Sequence, residues 1–255
     1  MMNKRRLGWI GVGLCACALS SFLAVSLYMR PYRDLIKLTE AVEVLREKFE
    51  EALAQPGIVG LNIATRADCL PQDAVDYLAS LAGRTHLTVE LGLQSASDAT
   101  AARINRGHDF AAFRAGFAAL RRTVPSAEIC IHIINGLPGE TREDMIATAD
   151  AVATLHPDQI KIHALHVLRG TALAAAYARG EYTPLSLEDY VAVTAAQLTR
   201  LPPDIVIARV TGDGDRDALL APAWSLRKRE AVAALDRYLY AHGLWQGSAL
   251  HQNCI

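Results

Sequence analysis

The run Asn135-Gly136-Leu137-Pro138-Gly139-Glu140 carries the strongest chemical suggestion in this 255-residue chain. Its two glycines let backbone approach a flat or anionic ligand closely. Its amides precede a helix, whose N-terminus favours negative charge. The run lacks the Gly-Lys-Ser/Thr ending of a phosphate-binding loop, which excludes a nucleoside triphosphatase of that type. Read alone, it is equally a simple turn. Around it, polar and apolar residues alternate: Thr88, Glu90, Gly92 and Gln94 form one set, Glu128, Cys130 and His132 a second, and Lys161 and His163 a third. Side chains alternate across a strand, so each set shares a face. A purely structural parallel strand is usually apolar on both faces. Polar faces on successive strands imply a binding cavity, with a half-exposed sheet face as the other reading.

Other constellations fail on their spacing. His163 and His166, on one continuous strand, would point to opposite faces and share no metal. Asp213, Asp215 and Asp217 imitate the start of a calcium loop, but Ala218 stands where the loop needs glycine and Trp224 where it needs glutamate. Ser95 and Ser97 lack the Gly-x-Ser-x-Gly elbow of a hydrolase. The five cysteines, Cys15, Cys17, Cys69, Cys130 and Cys254, show no CxxC or CxxxCxxC spacing. No metal ligand is therefore assigned, and the odd count suits reduced thiols.

The elements that must position these residues follow from periodicity. Leu35, Leu38, Val42, Leu45, Phe49 and Leu53 recur at helical steps over 34–54, and Gln55-Pro56-Gly57 ends that helix. Strands are expected at 58–65, 87–94, 128–135, 159–167 and 205–210. Helices are expected at 73–81, 98–104, 110–122, 142–155, 172–179, 187–200 and 227–242. Strand-then-helix order implies parallel strands with helical crossovers, in part of a barrel or an open doubly wound sheet. Ligands then gather at the strand C-termini, here Thr65-Arg66, Gln94-Ser95, Asn135 to Glu140, and His166.

The first thirty residues are different material. Lys4, Arg5 and Arg6 precede an uncharged run from Leu7 to Tyr28, long enough to cross a bilayer as a helix. A secretory signal has a shorter apolar core, about 7–15 residues. The run therefore reads as an anchor rather than a removed signal; a lipid-modified Cys17 and a misplaced start or fusion are competing readings. The chain divides into an anchor-like segment (1–30), an amphipathic helix (31–56) and one α/β domain (57–250). Hydrophobic residues make up 51% of the chain, enough for a sizeable core, and the formal charge of −1 argues against a surface that coats nucleic acid, leaving room for a local basic patch.

Several segments together resemble a known family. Leu61-Asn-Ile-Ala-Thr-Arg-Ala-Asp-Cys-Leu, Val89-Glu-Leu-Gly-Leu-Gln-Ser, Ile104-Asn-Arg-Gly-His-Asp, Ile133-Ile-Asn-Gly-Leu-Pro-Gly-Glu-Thr, Lys161-Ile-His-Ala-Leu-His-Val-Leu-Arg-Gly-Thr and Thr211-Gly-Asp-Gly occur in the order and spacing of the radical S-adenosylmethionine (SAM) superfamily. The match is with its YhcC-type, elongator-catalytic-subunit-like branch, and runs from about Val44 to Ala249. The resemblance implies a partial (β/α) barrel that binds SAM and a four-iron four-sulfur cluster. The reduced cluster would cleave SAM to a 5′-deoxyadenosyl radical that abstracts hydrogen from a substrate. Here the cofactor supplies the chemistry and the barrel supplies position and dryness.

Carried over by position, Gln94 resembles the ribose-hydroxyl ligand and Arg106 the arginine at the SAM carboxylate. Asn135, Gly136, Leu137, Pro138 and Glu140 resemble the motif whose backbone cradles adenine. Glu90 reaches the SAM amino group or another partner inside the barrel, or forms a buried ion pair with Arg106. His163 and His166 match family positions without an assigned role. The family's first strands and its CxxxCxxC loop belong upstream of Val44, where this chain carries the apolar run and first helix. Cys15-Ala-Cys17 cannot replace a three-cysteine loop. The expectation is a truncated or rearranged family protein without its cluster, with RNA as a substrate by analogy alone. The alternative is a membrane-tethered, non-catalytic module that binds SAM or a partner, so the location is the membrane if 7–28 is an anchor and otherwise the cytoplasm.

Overall fold

The computed structural model describes residues 38–212 and 214–250. The apolar run at 7–28, its place as a helix before the domain, and Cys15, Cys17, Asp213 and Cys254 lie outside the described residues. Among the described residues, no helix is long and apolar enough to cross a membrane.

Helix α1 (Leu38–Leu53) leads to strand β1 (Gly60–Thr65), a one-turn 3₁₀ segment (Ala67–Cys69) and α2 (Gln72–Ala82). Strand β2 (His86–Gln94) is followed by α3 (Asp98–Arg103) and α4 (Phe110–Thr123), then β3 (Glu128–Asn135), α5 (Arg142–Leu155) and β4 (Gln159–Ala164). A short β5 (Val167–Leu168), α6 (Ala172–Ala178) and α7 (Leu187–Leu198) precede β6 (Val206–Arg209), β7 (Leu219–Ala221) and α8 (Lys228–Ala241). The main sheet has the order β1-β2-β3-β4-β6, with every pairing parallel. This is the α/β architecture expected from the alternating strand and helix patterns.

The two faces of the sheet divide as the alternation requires. Leu87, Val89 and Leu91 of β2, Ile129, Ile131 and Ile133 of β3, and Ile160 and Ile162 of β4 are buried in one cluster with Phe113 and Leu120 of α4, Val152 of α5 and Leu198 of α7. Fully burying each such side chain stabilises the fold by about 1.5–3 kcal/mol. The opposite face carries Glu90, His132, Lys161 and His163.

Helix starts are fixed by short polar side chains. Asp109 accepts from Ala112 N, and Thr141 and Asp144 form a reciprocal capping box. Each such cap contributes about 1 kcal/mol. The box makes the 135–140 turn end abruptly in α5.

One expected strand is broken. The strand expected at 159–167 divides into β4 and β5, which belong to different sheets; β5 pairs antiparallel with β7. The Leu165 amide still donates to the Asn135 carbonyl at 3.0 Å, as the last rung of the β3–β4 ladder, and beyond it the chain leaves the main sheet. The small β5–β7 ribbon has too few residues to leave a periodic signal.

Candidate functional site at the strand tips

Strand β2 ends in an irregularity. The β2–β3 register shifts between Gly92 and Gln94, and Gln94 has a positive φ of 74°, a conformation non-glycine residues rarely hold without cause. The side chains of Gln94 and Arg106 cross over Gly92. A β-carbon there would lie 2.8 Å from Gln94 Nε2 and 2.9 Å from Arg106 Nη2, so the crossing requires glycine. Arg106 is delivered by the turn between α3 and α4, where Asn105 and Gly107 both have positive φ. Its Nη2 donates to the Gly92 carbonyl, while its Nε is buried and has no hydrogen-bond partner. Burial, reinforced by the charge of Arg66, pushes the Arg106 guanidinium down to about 10.

Beside this crossing stand residues that strand alternation could not place together. Arg66 donates from Nε to Asp68 Oδ1 at 2.9 Å. His108 Nε2 lies 4.0 Å from the same oxygen and is buried without a hydrogen bond. Asp68 comes from the 3₁₀ turn after β1 and His108 from the loop before α4, and nothing in their local spacing announces the encounter.

On the polar face of the sheet, Glu90 binds two partners on two strands. Lys161 Nζ donates to Glu90 Oε1 at 2.6 Å, and His132 Nε2 lies 2.8 Å from Oε2. Burial opposes the Glu90 charge, yet His132 close by and the hydrogen bond from Lys161 hold its carboxyl down to about 2. The buried pair of Glu90 is thus with Lys161 and His132, while Arg106 is occupied by the Gly92 carbonyl. His163 stacks on His132 at a ring separation of 5.4 Å.

The 135–140 turn is held from several sides. The Asn135 and Gln197 amides exchange two hydrogen bonds of 2.8 Å, so the Asn135 side chain is directed into the packing of α7. Gly136 has φ 87°; its carbonyl accepts from Tyr182 Oη at 2.8 Å. Leu137 is buried, and the Pro138 carbonyl accepts from Arg103 Nη1 at 2.9 Å. Glu140 accepts from Ser95 Oγ, tying the turn to the end of β2, and burial pushes its carboxyl up. Tyr182 and Gln197 carry no motif; only the fold reveals their part.

The expected opposition of His163 and His166 does not hold. Because β4 stops at Ala164, both rings meet the backbone after β6. A β-carbon on Gly212 would lie 3.1 Å from His163 Nδ1 and 3.3 Å from His166 Cε1, and one on Gly214 would lie 2.9 Å from His166 Nδ1. Among the described residues, no group of three or more His, Cys, Asp or Glu side chains could hold a metal ion.

A parallel α/β sheet with polar groups gathered at the strand tips belongs to the class of folds whose ligand sites lie at the C-terminal edge of the sheet. The chain belongs to the radical SAM superfamily: residues 29–152 match that family and residues 157–241 match the radical SAM C-terminal domain. Protein YtqA of Bacillus subtilis is 48% identical over 220 residues, covering 86% of this chain and 68% of that protein. Protein YhcC of Escherichia coli is 38% identical over 224 residues, covering 88% and 72%. The fold is shared with archaeal Methanocaldococcus infernus Elp3, with a TM-score of 0.64 at 22% identity over 74% of this chain and 43% of that one.

The cofactors of the family are SAM and a four-iron four-sulfur cluster. The orphaned Arg106 Nε fits an anionic ligand such as the methionine end of SAM, while the space over Gly92 is filled by the Gln94 and Arg106 side chains themselves. The described cysteines do not fit a cluster. Cys69 ends the 3₁₀ turn after β1; Cys130 is buried inside β3, where burial pushes its thiol up to about 12.

Proposed function

We propose that this chain binds SAM across the tips of β1 to β3 of a partial barrel and presents it to a substrate held against the polar face of the sheet. Gln94 takes a ribose hydroxyl, Arg106 takes the methionine carboxylate, and the backbone of Gly136 to Glu140 lies beside adenine. The observation that carries this reading is the crossing of Gln94 and Arg106 over Gly92, with Arg106 Nε buried and unpartnered. A buried donor without a partner costs about 1–3 kcal/mol, a cost that a bound carboxylate removes. SAM supplies the reactive adenosyl group when bound. The protein's own residues orient it and keep water out; a cluster would need cysteines other than Cys69 and Cys130. Glu90 supports the face from below, since both its oxygens are already engaged.

RNA as substrate rests on the family resemblance and on Arg114 and Arg122 along a shallow groove of α4 and α5, where Arg121 is itself paired with Asp158. A site of that kind binds phosphates with a steep salt dependence.

Calorimetry with SAM on the full chain tests the reading. Wild type should bind with simple one-site behaviour, and Gln94→Ala and Arg106→Ala should each lose about tenfold in affinity or more. Wild-type affinity in both variants would remove the assignment.

A further inference from the structure

We propose that Tyr182 and Leu185 are positioning residues for the adenosine half of SAM, holding the Gly136 peptide of the 135–140 turn in place from the C-terminal part of the chain. The proposal rests on the SAM reading for the ligand that lies beside that turn.

Three observations carry it. The segment between α6 and α7 meets the turn as a strap. It leaves α6 at Gly180, which has φ 73°, and ends at Ser186, whose hydroxyl caps α7 by accepting from Asp189 N at 3.0 Å. Between these points Tyr182 Oη donates to the Gly136 carbonyl at 2.8 Å. Burial pushes that hydroxyl up to about 12, so it remains a donor across the neutral range. The Gly136 carbonyl and the Leu137 N–H belong to one planar peptide and point in opposite directions. Holding the carbonyl on the strap therefore aims the Leu137 amide away from it.

The second observation is that Leu185 rests on bare backbone. A β-carbon on Gly136 would lie 3.2 Å from Leu185 Cγ and 3.3 Å from Cδ1. The third is that the strap is itself held from behind. Trp224, on the 3₁₀ turn Ala223–Leu226, donates from Nε1 to the Leu185 carbonyl at 3.0 Å. Its ring packs on Tyr190 with centroids 4.9 Å apart, and Tyr190 Oη donates to the Val210 carbonyl at 3.0 Å. Trp224 and Tyr190 belong to a small core with Ala164 and Ala231, against which Leu185 packs. The turn falls within the match to the radical SAM family, and the strap with its supports falls within the match to the C-terminal domain. The second match thus braces the adenosine site of the first.

Calorimetry on the full chain with SAM and, separately, with 5′-methylthioadenosine, which keeps the adenosine half and has no carboxylate, provides the test. Tyr182→Phe removes one hydroxyl and keeps the ring. It should weaken both ligands by the same factor, about three- to tenfold, at an unchanged number of sites per chain. Leu185→Ala should act in the same way. Arg106→Ala is the contrast: SAM weakens while 5′-methylthioadenosine binds as in wild type. Wild-type affinity for both ligands in Tyr182→Phe, or a loss confined to SAM, would overturn the proposal. So would fewer sites at unchanged affinity, the mark of a merely structural role. Arg106→Ala that binds SAM as wild type does would remove the assignment of Arg106 and leave the Tyr182 result standing. A wild-type chain that binds neither ligand would remove the SAM reading, and this inference with it.

Discussion

Lys161 reaches over an intervening strand to Glu90, with its ammonium 2.6 Å from the carboxylate. The strand between them supplies His132, which sits opposite Lys161 in the β3–β4 register and engages the second Glu90 oxygen at 2.8 Å. Three central strands are thus fastened by one buried carboxylate on the face that the apolar core does not cover. Burial weakens the case for net stabilisation, because two ions must be dehydrated to form the pair. The consequence lies in specificity: any shift of β4 against β2 would strand a charge.

Removing one member should therefore cost more than removing both. Glu90→Gln or Lys161→Met alone is expected to lower unfolding free energy by about 3–5 kcal/mol, because the survivor is left buried and unpaired. Glu90→Leu combined with Lys161→Met should recover most of that loss, measured by urea denaturation. The folded Glu90 carboxyl is held from its ordinary value of 4.5 down to about 2. Its contribution is therefore present above the ordinary value and is lost as pH falls from there toward about 2. Glu90→Gln should flatten the stability profile in that window, and an unchanged profile would refute the arrangement.

Asn135 leads to a different expectation. Its side chain is paired with Gln197, which is fully buried and also donates to the Met145 carbonyl at 2.8 Å. Asn135→Ala should cost about 1–3 kcal/mol through the unsatisfied Gln197 amide. SAM affinity should change little compared with Arg106→Ala. A variant that melts like wild type but fails to bind SAM would place the Asn135 amide on the ligand instead.

These residues mark how far the sequence could be read. Alternation along β2, β3 and β4 was enough to set Glu90, His132, Lys161 and His163 on one face, because a parallel strand has a fixed period and a covered side. Periodicity located every long helix and the strand at 128–135 to the residue. Three features escaped it. The 159–167 run keeps alternating polar and apolar residues past Ala164, where β4 ends, so nothing in it announces the turn that brings the His166 ring beside His163. Asn135 belongs to a turn motif, yet its side chain is claimed by Gln197, 62 positions away, a distance at which local pattern is silent. Asp68 and His108 meet between a 3₁₀ turn and a loop, where no period applies.

The glycines separate the binding site from the scaffold most sharply. At Gly92 an added methyl meets Gln94 Nε2 and Arg106 Nη2, both the far ends of long side chains that can swing away. Gly92→Ala should therefore melt close to wild type while SAM affinity falls about tenfold, since both binding groups are displaced together. Gly116 on α4 is the converse. Its added methyl would lie 2.9 Å from the Ala67 carbonyl carbon and β-carbon, and backbone on the turn after β1 cannot swing aside. Gly116→Ala should force the helix off that turn at a cost of about 1–3 kcal/mol, as overpacking does elsewhere. Thermal melts and calorimetry on the two variants decide the matter. If Gly92→Ala destabilises the chain as much as Gly116→Ala, Gly92 is a packing glycine, and the crossing above it is part of the scaffold rather than a site.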